Sequence, residues 1–292
     1  MSAALLEKTE LPFSATTPIS IARVGLKARD ADALAAYYRN LLGFEELRRS
    51  GNRIALGAGG RELLEIEGSA ALKPDDPRSA GLYHTAFLFP SRADLARWTQ
   101  SAIDRKIGID GASDHLVSEA IYLDDPEGNG IEIYRDRERS EWTYAPDGTV
   151  KMATHRLDLQ ALYEEAPKEG WTGQENGTVI GHIHLQVSDI PQADAFFRDV
   201  LGLDIMARYP GASFFATGKY HHHVAANVWN SRGQPKRQDG MSGLSDYTIR
   251  FNDPAKLEAA VKALDAQAIA TTRSGDTVSL VDPWGIGLRL ST

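Results

Sequence analysis

The sequence contains no cysteine, which removes disulfides, thiolate metal sites and cysteine nucleophiles together. Any metal would have to be held by His and carboxylate side chains. No apolar run approaches the roughly 18 residues that a membrane span requires, and the opening stretch MSAALLEKTELPFSATTP carries acidic residues and lacks the apolar centre of a signal peptide. The expected location is the cytoplasm, with no membrane partner. Positive charge is in deficit, with 32 Lys and Arg against 40 Asp and Glu for a net charge of −8. That sign argues against nucleic acid and anionic lipid as partners, because both need a basic face. Only Pro235, Lys236 and Arg237 hint at a local basic patch. The remainder is ordinary for a globular protein, with 42% apolar and 25% charged residues. A chain of 292 residues is long enough for two domains, each with its own core.

The chain repeats itself. GLKARDADALAAYYRNLLGF (25–44) aligns without gaps on HLQVSDIPQADAFFRDVLGL (184–203), matching Leu26 with Leu185, Asp30 with Asp189, Tyr37 and Tyr38 with Phe196 and Phe197, and Gly43 with Gly202. Each copy reads as an alternating strand, an Asp suited to cap a helix, a helix with apolar residues at three-and-four spacing, and a Gly stop. GLYHTAFLF (81–89) aligns in the same way on GLSDYTIRF (243–251). Each of these leads into a helix, then a strand, a DP-x-G turn and a last strand. The chain therefore reads as four strand–helix–three-strand units at roughly 18–70, 80–137, 178–231 and 243–292. The expected division is an N-terminal domain of two units (1–148), a linker with a short helix near 156–165 (149–176), and a C-terminal domain of two units (177–292).

Duplication allows equivalent positions to be compared within one chain. On the first strand of the four units the matching residues are Arg23, His84, His182 and Asp246; on the last strand of units two and four they are Glu132 and Arg289. A single His on a strand is ordinarily a hydrogen-bonded core residue. Two His and one Glu in equivalent slots are instead what an open non-haem iron or manganese centre uses. A fixed Arg beside a divalent ion is unfavourable. Pairing unit two with unit three gathers His84, Glu132 and His182, and leaves Arg23, Asp246 and Arg289 as an ion cluster between units one and four.

The order of the units, the strands GHIHLQVSD (181–189) and GLYHTAF (81–87), and the ending DPEGNGIEIY (125–134) resemble the vicinal oxygen chelate superfamily of glyoxalases, bleomycin resistance proteins and extradiol dioxygenases. Within it the chain is most similar to ring-cleaving enzymes of the catechol 2,3-dioxygenase type, from about Ile19 to Leu290. The resemblance implies an α+β fold of four βαβββ modules in two tandem domains, forming cupped, largely antiparallel sheets with helices outside. It also implies O₂ insertion into a catechol-type aromatic diol at Fe(II), with Mn(II) as the other option. Two-domain extradiol enzymes commonly take their ligands from units three and four. This chain departs from that layout, because unit four carries Asp246 and Arg289.

Further roles follow from the resemblance alone. SDHLVSEAIYLDDPEGNGIE supplies His115 and Tyr122 upstream of Glu132, in the place of substrate-bonding residues; the plain alternatives are a polar loop residue and a core aromatic. KYHHHVAANVW (219–229) matches the segment of the acid–base histidine, with His222 in its place. On an extended strand His221 and His223 would face away from His222, and a surface His patch is the alternative. His222, with an ordinary imidazole pKa near neutrality, would handle protons. Phe214, Phe215, Trp229 and Tyr247 are candidates for an apolar pocket. Two other readings stay open: a glyoxalase-like metal-dependent isomerase, which needs a second Glu ligand, and a non-catalytic drug-sequestering protein. Pairing of units buries apolar sheet faces, which is compatible with a homo-oligomer.

Overall fold

The structure is a computed structural model that describes residues 11–173 and 177–292. The opening decapeptide and residues 174–176 of the expected linker lie outside the described residues. Four βαβββ modules build a mixed α+β fold with two curled sheets. Module one has its lead strand at Ile19–Ala28, its helix at Ala31–Leu42 and its closing strand at Arg61–Gly68. The corresponding elements are Gly81–Leu88, Arg92–Asp104 and Gly130–Asp136 in module two, and Gly243–Phe251, Pro254–Ala266 and Gly287–Ser291 in module four. Module three runs from Val179–Gln186 to Val224–Asn227, and its helix begins as α at Ile190–Asp194 and widens to a π turn at Ala195–Val200. The linker region carries a short helix at Leu159–Glu164 and a two-residue strand, His155–Arg156, that extends module two's sheet.

Capping sets the helix starts. The side chains of Asp30, Ser91, Asp189 and Asp253 each accept a bond from a backbone N–H in the first turn of the helix that follows. Gly43, at φ 69°, ends the first helix in the left-handed region that glycine tolerates best.

The module pairing crosses the two halves of the chain. Modules one and four form an eight-stranded sheet and modules two and three, with the short linker strand, a nine-stranded one. In each sheet the two lead strands pair antiparallel at the centre, and each lead strand pairs parallel with its own closing strand. Lead and closing strands are therefore central, flanked on both sides and held by ladders. Large apolar side chains such as Trp98, Phe87, Phe197 and Trp284 are fully buried in a core shared by the helices and sheets.

Both central pairs carry a bulge at equivalent positions. In modules two and three the register slips between Ile180 and His182, and in modules one and four between Ile21 and Arg23. A bulge re-aims the side chains beside it. The residue extruded in modules two and three is Gly181, where an added Cβ would lie 1.7 Å from the Tyr134 hydroxyl. Only glycine permits that approach.

The DP turns place the closing strands. Asp125 Oδ1 accepts from the backbone of Glu127 (2.8 Å) and Asn129 (2.9 Å), and Asp282 Oδ1 from Trp284 (2.9 Å) and Ile286 (3.0 Å). The other carboxylate oxygen takes a tyrosine hydroxyl in each case, Tyr38 for Asp125 and Tyr247 for Asp282. Each acid thus closes its own loop and ties it to the core.

Candidate metal centre

His84 lies on the lead strand of module two, Glu132 on its closing strand, and His182 on the lead strand of module three just after the bulge. All three are buried. Glu132 Oε2 sits 3.0 Å from His84 Nε2 and 3.1 Å from His182 Nε2, and the two Nε2 atoms are 3.3 Å apart. Three mutual contacts of this length are poorly served by hydrogen bonds. Both imidazoles can donate to one oxygen only by setting two N–H dipoles side by side. A divalent ion bound at about 2.1 Å holds its ligand atoms about 3.0 Å apart at right angles and about 3.4 Å apart in a tetrahedron. The observed triangle lies in that interval, so the donor set fits a metal.

The protonation states fit as well. Burial raises the Glu132 carboxyl, but His182 and His84 outweigh it and hold the group well below the usual carboxylate range. Burial brings His182 down to about 4. An ionised carboxylate beside a neutral imidazole is the form that metal ligation requires. Nδ1 of His182 is buried without a hydrogen-bond partner. Packing orients this ring instead, with His222 at 4.0 Å and Tyr134 at 5.0 Å between ring centroids.

Above the triangle opens a cavity of about 540 Å³, lined by His84, Glu132, His115, Tyr122 and His222 among others. His115 Nδ1 donates to the carbonyl of Ala153 (2.7 Å), because a carbonyl can only accept. Its Nε2 therefore accepts from the Tyr122 hydroxyl at 2.6 Å. Burial, with Glu132 nearby, raises Tyr122 well above the ordinary phenol value, so it stands as a neutral donor.

The HHH triplet departs from expectation. It does not lie on a strand, because Gly218 (φ 63°) and Lys219 (φ 61°) take successive left-handed conformations and the next strand begins only at Val224. Strict alternation therefore fails: His221 and His222 touch through their Nδ1 atoms at 2.8 Å. His222 lines the cavity. Burial pushes its imidazole well below the near-neutral value expected from sequence, so it is neutral at pH 7. His223 points elsewhere, its Nε2 at 2.8 Å from Thr17 Oγ1 and 3.1 Å from the Ser14 carbonyl, and anchors the segment ahead of module one.

Among the expected pocket aromatics, Phe214 and Trp229 line the cavity. Phe215 instead packs on Phe197 in the core, and Tyr247 belongs to the other sheet, bonded to Asp282. Sequence reasoning missed His184, which lines the cavity, contacts the His84 ring at 4.9 Å and bonds Asn227 through Nε2 at 3.0 Å. The signal was present, since two residues after His182 on a strand is the same face.

In the other sheet Arg23 meets Asp246 at 2.5 Å and Glu65 at 3.0 Å, and Arg289 approaches Asp246 at 3.4 Å. Glu65 pairs with Gly25 as Glu132 pairs with Ala86, so it is the counterpart of Glu132. The sequence concealed it because module one lacks a DP turn to fix the offset. The fourth slot of the metal sheet is Ala225, opposite His184.

The model of the Glyoxalase/Bleomycin resistance protein/Dioxygenase superfamily matches residues 20–133 and 179–288. The chain is 38% identical to a catechol-2,3-dioxygenase of Bacillus subtilis over 262 residues, covering 88% of this chain and 92% of that one. A biphenyl-2,3-diol 1,2-dioxygenase of Rhodococcus globerulus is 35% identical over 66 residues, which is 23% of this chain and 35% of the other. Among solved structures, a Bacillus subtilis protein provisionally described as a dioxygenase superposes with a TM-score of 0.65 at 12% identity, covering 94% of this chain and 85% of that one. Glyoxalase I from Zea mays gives 0.56 at 15% identity, covering 95% and 94%. These two likenesses concern the fold alone. Among the described residues no helix is long and apolar enough to cross a membrane.

Proposed function

Because this chain belongs to the glyoxalase/bleomycin resistance protein/dioxygenase superfamily, we propose that it is an extradiol dioxygenase that cleaves a catechol-type ring at a metal held by His84, Glu132 and His182. The observation that carries this reading is the convergence of the three ligand-type atoms at the base of a cavity whose wall presents His222, His115 and Tyr122. Fe(II), or Mn(II) in its place, would supply one coordination sphere for the two diol oxygens and O₂. His84, Glu132 and His182 would hold such an ion, and the substrate would reach it from the cavity.

The surrounding residues divide the remaining work. His222, neutral and lining the cavity, takes a proton from a diol hydroxyl. Tyr122 is kept protonated by burial and gives its one O–H to His115 Nε2, so its oxygen accepts a hydrogen bond from a diol hydroxyl. Phe214 and Trp229, which line the cavity, contact the ring. Cleavage beside the diol gives a muconic semialdehyde-type product. A glyoxalase-like isomerase would need a second Glu ligand, and Ala225 in the fourth slot argues against it.

Anaerobic reconstitution with Fe(II) or Mn(II), followed by oxygen uptake with a panel of catechols and hydroquinones, tests the reading. Stoichiometric oxygen consumption with a coloured ring-cleavage product is expected. Bound metal with no oxygen consumption on any of these diols overturns it.

A further inference from the structure

His222 is one end of a buried hydrogen-bonded chain that the chemistry above does not use. Its Nδ1 lies 2.8 Å from His221 Nδ1, and His221 Nε2 lies 2.8 Å from Asp136 Oδ1. Asp136 Oδ1 also accepts from the Tyr220 hydroxyl at 3.2 Å, which in turn meets the Tyr134 hydroxyl at 2.8 Å. His221, Tyr134 and Tyr220 have no solvent exposure, and Asp136 is part-buried.

The donors in this chain can be assigned one after another. A carboxylate oxygen only accepts, so His221 Nε2 carries a proton. With one proton on each ring, which is the premise of the proposal below, His221 Nδ1 is a lone pair. His222 Nδ1 must then be the donor in the Nδ1–Nδ1 contact, and the single proton of the neutral His222 ring is accounted for. Its other nitrogen, Nε2, is left unprotonated and available to the cavity that His222 lines.

We propose that Asp136 and His221 are positioning residues that act as a relay to lock His222 in the Nδ1–H tautomer, presenting an Nε2 lone pair to the substrate. The inference rests on the dioxygenase reading for its catalytic consequence, and on the hydrogen-bond geometry with one proton per ring for the tautomer. In the step it serves, the substrate O–H bond breaks, an Nε2–H bond forms and the electron pair stays on the substrate oxygen. The resulting imidazolium keeps its Nδ1–H on His221, with the Asp136 carboxylate facing the new charge one ring further on. His221, expected from sequence to be only a neighbour on an opposite face, is in this arrangement the link between carboxylate and base. Substitution of Asp136 by Asn allows the amide to donate to His221 Nε2, which reverses both tautomers and puts a proton on the nitrogen that should be bare.

The test is ¹⁵N NMR of histidine in the full chain, loaded with diamagnetic Zn(II) and read beside steady-state kinetics of the Fe(II) or Mn(II) protein. The His222 signals are identified as those lost in His222→Gln. In the wild type a pyridine-type Nε2 and a pyrrole-type Nδ1 are expected for His222, and the two should exchange in Asp136→Asn. In the same variant kcat should fall about 10²- to 10⁴-fold with KM within about threefold, as for loss of a base rather than of binding. A protonated Nε2 in the wild type, or an Asp136→Asn spectrum identical to wild type, overturns the proposal. A wild type that takes up no oxygen overturns the dioxygenase reading instead, and the spectrum still decides the tautomer.

Discussion

Part-buried Tyr122 and fully buried His223 illustrate how differently two polar residues near one site are used. The Tyr122 hydroxyl bonds His115 at the cavity wall and lies beside Glu132, but supplies no ligand atom, so removing it should leave the fold and the ligand triangle in place. Tyr122→Phe is expected to keep full metal content and to lower kcat by about 10- to 100-fold, as measured by oxygen uptake, consistent with loss of one hydrogen-bond partner of the substrate diol. His223 lies off the site and holds the chain ahead of module one. Burial, opposed weakly by the Ser14 carbonyl, takes its imidazole down to about 3. The unfolded chain binds a proton near pH 6.5 and the folded chain does not, so stability is full above 6.5 and is lost as pH falls toward 3. Between pH 7 and pH 5 the loss attributable to His223 is roughly 2 kcal/mol. Urea unfolding at the two pH values should show a correspondingly shallower loss in His223→Gln; an equal loss in both proteins contradicts this assignment. The triplet was readable as a cluster in the sequence. The resemblance singled out His222 within it, but the contact of His221 with His222 and the seat of His223 against Thr17 and Ser14 were not readable, because they depend on the two left-handed residues Gly218 and Lys219 that take the segment off the strand.

The central strand pair of modules two and three depends on the bulge at Gly181. A methyl group there meets the Tyr134 hydroxyl, which is already bonded to Tyr220, and neither ring has space to retreat in a fully buried setting. Gly181→Ala should destabilise the protein by about 1–3 kcal/mol through overpacking and weaken metal binding by shifting His182. Thermal unfolding together with metal titration checks both effects. An unchanged melting temperature would show that the strand relaxes freely at this point. The bulge itself was invisible in sequence, since the period-two pattern on either side of it reads as one continuous strand. The caps at Asp30 and Asp189 and the DP turns were legible, because an Asp followed by a tight loop states its own hydrogen-bond partners.

Across the whole molecule, the two sheets are duplicates with different chemistry at the same slots. His84, His182 and Glu132 occupy one centre; Arg23, Asp246, Arg289 and Glu65 occupy the other, where opposite charges satisfy one another directly. The pairing of the second module with the third could be inferred from charge alone, because an Arg among metal ligands is self-defeating. Glu65 escaped that inference because the strand offset in module one is set by a turn of different sequence. His184 escaped it because attention to matching slots passed over the next residue on the same face. The central claim is one metal per chain, held jointly by the two halves of the sequence. Its most direct test is metal content by elemental analysis of wild type and His182→Ala, each reconstituted anaerobically with Fe(II) or Mn(II) and freed of excess ion. One equivalent in the wild type and a loss of most of it in His182→Ala, with the variant still folded, is the expected result. Full metal content in a folded His182→Ala would contradict a centre shared between modules two and three.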